Sequence, residues 1–213
     1  HTRSLPSSVM NSAVTMGQGE LTAVPEDIID VIKPAMKRAY GSEKAAEFIT
    51  EDGKDLVWDW SPAVVRRYQQ RSILKDSYIV CDNLFPYLYN QNTSDHIGDP
   101  SMESRLFSAV TGEELGEEGS YEIGEKLVNL ERAIAARDGR NRDDDVLYDH
   151  YYETTDAGDR QYKKGPMEKA KDAYYELMGW DVATGTPTRK RLKELGCSQV
   201  ADELEKRGAL KKG

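Results

Sequence analysis

Residues 120–139 read SYEIGEKLVNLERAIAARDG, the clearest helical pattern in this 213-residue chain. Ser120 opens the pattern, and Gly139 follows its last turn, where glycine commonly ends a helix. Between them, apolar residues recur at the spacing of one helix face. That face consists of Ile123, Leu127, Val128, Leu130, Ile134 and Ala135. We therefore expect a long helix that buries this apolar stripe in the core.

Start and stop signals of the same kind predict further helices on both sides. Caps and first-turn prolines place their starts at Pro25, Ser42, Ser61, Ser101, Pro166, Thr186 and Ser198. The helix that opens at Ser101 is expected to present Leu106, Phe107 and Val110 as its apolar face and to end at Gly112. No stretch shows the sustained alternation of a strand. The pattern predicts an all-α fold, an irregular multi-helix domain of about seven to nine helices.

Two parts of the chain differ in composition. Residues 1–24 are rich in Ser, Gly and Thr and are expected to form an irregular N-terminal arm, whereas residues 25–213 are expected to form the α-helical domain. The chain begins His1-Thr2-Arg3 without a methionine or an apolar signal segment. We expect it to be a C-terminal piece of a longer protein, and a processed or tagged end is the alternative.

The charge balance sets limits on function. The chain carries 29 Lys and Arg against 38 Asp and Glu, a net charge of −9. This acidity argues against a general nucleic-acid binder, which needs a basic face to displace counterions. No apolar run approaches the roughly 18 residues that a membrane span requires. We therefore expect neither nucleic acid nor a membrane as a partner.

Familiar catalytic patterns do not occur in this sequence. His1, His96 and His150 lack the spacing of paired metal ligands, and no phosphate-binding or nucleophile-elbow motif is present. The run Asp143–Asp145 lacks the glycine and terminal glutamate of a calcium loop, so a solvated, capping loop is favoured. Arg140 and Arg142 beside it either organise a domain contact or form a local ion-pair loop, and we favour the local loop.

The chain contains two cysteines, Cys81 and Cys197, too few for a secreted disulfide scaffold. Cys197 follows the helix-ending Gly196 and is expected to be a packing residue. Cys81 ends the apolar stretch Ser77–Cys81, which is either a buried strand or the end of a buried helix. On physical grounds alone, a single cysteine in such a stretch is most often an inert core residue.

Three segments occur in a specific order across residues 76–205. They are Asp76-Ser77-x-x-x-Cys81, then Gly124–Arg132 with the turn Arg137–Asp145, then Tyr174–Asp181 with Gly185–Thr188 and Leu192–Gly196. Together they resemble the C-terminal part of the tungsten-dependent aldehyde ferredoxin oxidoreductase family. The resemblance implies the helical domains of that family as the fold. Tyr174, Tyr175 and Trp180 are interpreted as core residues within it.

The resemblance also implies cofactor contacts. Asp76 and Asp82 are implied as contacts of a tungsto- or molybdopterin, and Cys81 as the last of four cysteines that hold a [4Fe–4S] cluster. The family's Cys-x-x-Cys-x-x-x-Cys group is absent from this chain. We therefore expect the parent protein to bind both cofactors and the isolated 213-residue chain to bind neither and to be inactive.

The implied reaction is oxidation of aldehydes to carboxylic acids in the cytoplasm, with ferredoxin as the electron acceptor. The upstream part of the same polypeptide is the other implied partner. Two alternatives remain open at this point. One is a free-standing acidic helical interaction module without redox activity. The other is a family member that acts on a non-aldehyde carbonyl or an acyl-thioester.

Overall fold

The structure, a computed structural model, describes residues 34, 37, 38, 61–80, 98–155 and 161–210. Residues 61–80, 98–155 and 161–210 form seven α-helices and one short 3-10 helix over Arg142–Asp144. The α-helices are α1 (Ser61–Tyr78), α2 (Met102–Thr111), α3 (Glu117–Arg137), α4 (His150–Glu153), α5 (Lys164–Met178), α6 (Arg189–Glu194) and α7 (Ser198–Lys206). Over these ranges there is no strand, and an isolated bridge joins Trp180 to Pro187. The all-α prediction is confirmed.

Helix α3 is the centre of the packing, because it contacts α1, α2 and α7, while α1 also packs on α5. Gly124 of α3 sits directly against the backbone of α1. A Cβ atom built on Gly124 would lie 2.3 Å from the carbonyl oxygen of Gln70. Only glycine allows the two helices to approach this closely, since any side chain would overlap the α1 backbone.

Glycines end the helices where the sequence predicts. Gly112 and Gly179 have φ angles of 78° and 72°, the left-handed conformation in which glycine is unstrained. The predicted start of α6 at Thr186 is wrong by two residues. Thr188 is the cap, because its extended backbone lets its hydroxyl accept the amide of Arg191 at 3.2 Å.

The prediction that α3 buries its apolar stripe is wrong, because a different set of residues forms the buried face. Of its six residues only Val128 is buried, while the exposed fractions of Ile123 and Ile134 are 38% and 52%. The buried residues of α3 are Ser120, Tyr121, Gly124, Glu125, Val128, Asn129, Arg132, Ala133 and Ala136. Polar side chains can be buried on this face because they find partners on distant segments. The Glu125 carboxylate, for example, accepts Arg66 Nε at 2.9 Å.

Helix α2 departs from its predicted face in the same way. Val110 is 78% exposed, whereas Glu103 and Ser104 are its buried residues. The burial of Glu103 has an electrostatic cause, since two cations of α1 lie against its carboxylate. The apolar pattern of this short helix therefore identified the packing face only in part, since Phe107 packs on Tyr78 of α1 whereas Val110 is exposed.

Two interpretations of core residues are confirmed. Cys197 is 7% exposed and packs with Ala133, Leu192, Ala201 and Leu204, so it is a packing residue. The aromatic residues after and within α5 are buried together, with Trp180 edge-on to Tyr174 at a ring-centroid distance of 5.6 Å. The contacts around Cys197 join α3, α6 and α7.

Several predictions fall outside the described residues. They concern the arm over residues 1–24, the helix over 42–49, Cys81 and Asp82. In the helix predicted from Pro25, the described residues Pro34, Lys37 and Arg38 are helical. None of the helices that the structure describes is long and apolar enough to cross a membrane.

Candidate functional site

The end of helix α1 carries the first of the predicted site residues. Asp76 lies in the last turn and is exposed, and the helix ends at Tyr78. Ile79 has a φ of 59°, and the amide of Val80 donates to the carbonyl of Lys75 at 3.0 Å. This is the left-handed turn that closes a helix. Of the two structures predicted for Ser77–Cys81, a buried strand or a helix end, the described part up to Val80 is a helix end.

The turn places an unusual residue in a strained conformation. A β-branched side chain rarely adopts positive φ, because its Cβ substituents crowd the backbone. Ile79 does so while its side chain is 93% exposed, so it gains little from burial. Cys81 and Asp82 lie outside the described residues, and their roles stay predictions.

A charged triad, defined here as Arg71, Lys75 and Glu103, is buried beneath this turn. Arg71 Nη2 and Lys75 Nζ lie 2.7 and 3.4 Å from the same oxygen, Glu103 Oε1. All three side chains are at most 7% exposed. Our sequence analysis missed the triad. A sequence signal for it was nevertheless present. Arg71 and Lys75 are two cations one helical turn apart on α1, in a stretch that also contains the apolar, buried Leu74.

Tyr78 lies between the triad and the turn. Its ring packs on Phe107 of α2 at a centroid distance of 5.8 Å. Its hydroxyl is buried and has no hydrogen-bond partner within the described part of the chain. Burial and the negative charge of Glu103 both raise the pKa of Tyr78 above its ordinary value. Tyr78 therefore offers a protonated hydroxyl that can still donate or accept a hydrogen bond.

These residues fit a pterin in part. An exposed carboxylate, as at Asp76, accepts N–H groups, and the unpartnered Tyr78 hydroxyl adds one further donor or acceptor. An iron–sulfur cluster finds less support. Residues 61–80, 98–155 and 161–210 contain no group of three side chains able to hold a metal, and Cys197 is buried in the core. Cys81 is therefore the only cysteine in the sequence left to serve as a ligand, and the other three would have to come from outside this chain.

The Arg/Asp-rich turn after α3 is a structural junction. Asp145 Oδ1 accepts Arg132 Nη1 at 3.0 Å and Arg140 Nη2 at 2.9 Å, and its other oxygen accepts the Tyr175 hydroxyl. Burial alone raises the pKa of Asp145, but hydrogen bonds from Arg132 and Tyr175 and the Arg132 charge outweigh it. The pKa therefore lies below its usual value. The local ion-pair interpretation fits Arg140, which bonds to Asp145 in the same turn. It is wrong for Arg142, whose guanidinium pairs with Glu168 and Asp172 of α5 at 2.6 and 2.5 Å.

A cavity of about 590 Å³ lies between α1, α3 and α5, with Val65, Val128 and Met167 among its apolar lining. Two of its cations already have carboxylate partners, since Arg132 pairs with Asp145 and Lys171 with Glu168 at 2.8 Å. The cavity thus combines apolar side chains with cations whose charges are already paired. It carries no catalytic assignment.

Comparison with known proteins gives two findings. A family model described as aldehyde ferredoxin oxidoreductase, domains 2 & 3, matches residues 32–197. A solved structure, the active-site complex BamBC of benzoyl coenzyme A reductase in complex with 1,5-dienoyl-CoA, is similar at 24% identity and a TM-score of 0.57. That likeness covers 73% of this chain and 22% of the other, and it supports the fold. This chain spans about a fifth of the length of that protein.

Proposed function

The chain belongs to the aldehyde ferredoxin oxidoreductase family, and on that premise we propose that it is the helical part of a larger tungsten- or molybdenum-pterin oxidoreductase. The observation that carries the proposal is the family match over residues 32–197, which contains the segment Asp76–Cys81. Upstream chain of the same polypeptide is the proposed structural partner, and the cytoplasm the proposed location. Both of these rest on the family alone.

The proposed reaction is aldehyde oxidation. When bound, the metal–pterin and the [4Fe–4S] cluster would supply two-electron chemistry, in which an aldehyde and water give a carboxylic acid, two protons and two electrons that leave to ferredoxin. The protein's own contribution is to bind and orient these groups. The family offers this reaction as its general case.

Each candidate residue has a defined task in this proposal. The Asp76 carboxylate accepts pterin N–H groups, and its exposure at the helix end leaves it accessible for that contact. Asp82 is proposed as a second pterin contact. The Cys81 thiolate holds one iron of the cluster. The division is supported by the sequence, in which Cys81 comes five residues after Asp76 and directly follows the turn that closes α1.

A second candidate function is redox chemistry on an acyl-thioester. The observation that favours it is the fold likeness to a benzoyl coenzyme A reductase whose structure contains 1,5-dienoyl-CoA. The two candidates share the cofactors and the residues Asp76, Cys81 and Asp82. They differ in substrate, so assays of the purified parent protein separate them. Aldehyde-dependent reduction of a viologen dye would support aldehyde oxidation, whereas reduction of an aromatic CoA thioester would support the acyl-thioester reaction.

The cluster assignment is tested on the parent protein purified without oxygen. We expect Cys81→Ser to lose most of the bound iron and acid-labile sulfide, because a serine oxygen is a poor iron ligand in a thiolate site. Cys197→Ala is the matched control, since it removes the chain's other cysteine from a core of aliphatic residues. It should keep its iron and sulfide at the unmodified level.

Metal analysis of the same samples tests the cofactor. Tungsten or molybdenum in the unmodified protein supports the proposal, and the element found decides between the two metals. Iron retained equally by Cys81→Ser and Cys197→Ala would show that Cys81 is not a ligand. A parent protein without iron, tungsten or molybdenum would favour the free-standing interaction module instead.

A further inference from the structure

A second cavity, of about 980 Å³, lies between α1, α3 and α6. Arg66 and Arg67 of α1 and Arg191 of α6 line it, and we call it the arginine cavity. Glu125 of α3 lines it too, and its side chain is only 3% exposed. The arginine cavity therefore brings three guanidinium groups from two helices to the same space as one buried carboxylate.

Glu125 compensates only part of this positive charge. Its Oε2 accepts Arg66 Nε at 2.9 Å, and its Oε1 pairs with Arg191 Nη2. Gln70 also donates to Oε2, but its amide carries no charge. Two arginines thus share one buried carboxylate, and Arg67 has no buried carboxylate partner among the described residues.

The other carboxylates that pair with these arginines are exposed and lie farther away. Glu118 lies 3.5 Å from Arg67 and is 77% exposed, and Glu194 lies 3.4 Å from Arg191 and is 48% exposed. Exposed pairs contribute little to stability, because solvent screens them and both side chains lose entropy. The remaining charged lining residues are exposed and opposite in sign, Glu122 and Lys126. An entering anion can therefore replace Glu118 and Glu194 at a small cost.

Donor groups of these arginines remain available to such an anion. Arg66 donates through its Nε, and within the described part of the chain neither of its Nη atoms makes a hydrogen bond. Its side chain is 35% exposed, so these N–H groups are accessible. The Nε of Arg191 is buried and also lacks a hydrogen-bond partner there. Since buried donors are nearly always paired, an unpaired one indicates a place for a ligand or a water molecule.

Arg67 is held in place by an aromatic ring. Its guanidinium carbon lies 3.8 Å from the centroid of the Tyr121 ring. Stacking of this kind fixes the plane of a guanidinium while its N–H groups can still donate at the edges. Two of them reach Gln70 and Glu118 only at 3.5 Å. Arg67 is therefore oriented in advance and has weak partners that a stronger acceptor can replace.

These donors and the rest of the lining indicate a class of ligand. Guanidinium groups bind phosphate through paired, charge-assisted hydrogen bonds, and a phosphate group has enough oxygens to accept from more than one arginine. The arginine cavity also has an aliphatic lining, which comprises Ala63, Leu115, Ile123, Leu177 and Leu195. Its volume lies within the range of about 300–1,000 Å³ that is usual for sites of organic ligands.

We propose that the arginine cavity binds a small organic molecule through a phosphate group. Arg66, Arg67 and Arg191 donate to the phosphate, and the organic part of the ligand packs against the aliphatic lining. This inference does not depend on the roles proposed for Asp76 and Cys81.

Isothermal titration calorimetry of the purified parent protein with phenyl phosphate tests the site. We expect saturable binding of one phenyl phosphate per chain. Inorganic phosphate lacks the apolar part of this probe, and phenol lacks its charge. Both should therefore bind more weakly than phenyl phosphate.

Two variants should change the affinity for phenyl phosphate in opposite directions. Arg67→Met removes a donor whose carboxylate partner is exposed, so it leaves no buried charge unpaired. It should weaken binding about tenfold, roughly the effect of one hydrogen bond to a charged group. Glu118→Gln removes the competing carboxylate and should tighten binding. The matched control is Arg105→Met, at an exposed arginine of α2 outside the cavity lining, and it should leave the affinity unchanged.

General destabilisation would not tighten binding in one variant and weaken it in another. Circular dichroism checks that each variant is folded. Arg66→Lys keeps the charge but loses the paired N–H geometry, so it should also weaken binding and provides the test even where Arg67→Met fails to fold.

Three results would overturn the inference. They are the absence of saturable phenyl phosphate binding, binding no tighter than that of inorganic phosphate or phenol, and an Arg67→Met variant that binds as well as Arg105→Met. The metal analysis of the unmodified parent protein is independent of all three. A failure of this inference is therefore distinguishable from a failure of the proposed function.

Discussion

The carboxylate of Asp145 holds together side chains from distant parts of the chain. It binds Arg132 of α3, Arg140 of the following turn and the hydroxyl of Tyr175 on α5. Arg132 is 8% exposed at its side chain and depends on this carboxylate, because its Nε is already committed to the carbonyl of Gly185 at 2.7 Å. Asp145 thus compensates a buried cation at the junction of α3, α5 and the 3-10 turn.

Replacing Asp145 by asparagine should destabilise the fold by about 3 kcal/mol, because it leaves the Arg132 guanidinium buried without a counter-charge. This free energy is at the lower end of the range expected when a buried ion pair is broken, because the Asp145 side chain is still 10% exposed. Urea unfolding at pH 7 measures the change. Asp143→Asn, at an exposed neighbour in the same turn, should change stability by less than about 0.5 kcal/mol.

The same pair has a defined pH dependence. The folded-state pKa of Asp145 lies below its usual value, so its stabilisation is present above the unfolded-state pKa of about 4. It is lost as the pH falls through the lower folded-state pKa. The stabilities of the unmodified chain and Asp145→Asn should therefore converge in acid. A difference that stayed constant as the pH fell would show that the Asp145 charge is not its source.

At the scale of helices, α1 and α3 can approach each other closely because Gly124 has no side chain. A Cβ atom on Gly124 would lie 2.3 Å from the Gln70 carbonyl oxygen and 2.9 Å from its Cα, both backbone atoms that cannot rotate away. The buried polar groups on this interface, such as Glu125, require the two helices to keep this spacing. Close packing and polar pairing are therefore linked along the same face.

Gly124→Ala should destabilise the chain by about 1–3 kcal/mol through overpacking, although alanine favours a helix by about 1 kcal/mol over glycine. Gly119→Ala is the matched control on the same helix. There the nearest atom to a new Cβ is the mobile Leu115 Cδ1 at 3.0 Å. Thermal unfolding should show Gly119→Ala unchanged or slightly stabilised, and an equal loss in both variants would contradict a backbone clash at Gly124.

At the scale of the whole molecule, the proposed cluster site needs more cysteines than this sequence contains. Its two cysteines cannot fill four thiolate positions, and Cys197 is 7% exposed among core residues. The described end of α1 leads into Cys81 without any second cluster ligand nearby in sequence. A four-cysteine site as proposed would thus require residues that this sequence does not contain.

Anaerobic reconstitution of the isolated 213-residue chain with iron and sulfide should therefore give no stable [4Fe–4S] cluster. The measurement is iron and sulfide bound after gel filtration, together with visible absorbance. The parent protein, treated identically, should retain both. A monomeric 213-residue chain that kept a full cluster would show that the assignment of Cys81 as one of four cysteine ligands is wrong.

The amino-acid sequence by itself determined where most described helices end and where α1, α2 and α7 begin. Helices α3 and α5 begin at Glu117 and Lys164, ahead of the predicted starts, and α4 was not predicted. Pro62, Gly112 and Gly179 act through their own backbone preferences, which need no distant partner. The segment Asp76–Cys81 was also recognisable from the sequence, because its residue types and spacing are local. The all-α class followed from the same signals.

Only the tertiary structure decided which faces are buried. Ile123 and Ile134 are exposed, while Asn129 is buried and accepts the indole N–H of Trp180 at 2.8 Å, 51 residues away. The triad beneath Asp76 likewise joins α1 to α2. Hydropathy treats a charge as a surface residue, whereas a buried charge is stable when the fold brings a partner to it. That partner is a property of the folded chain.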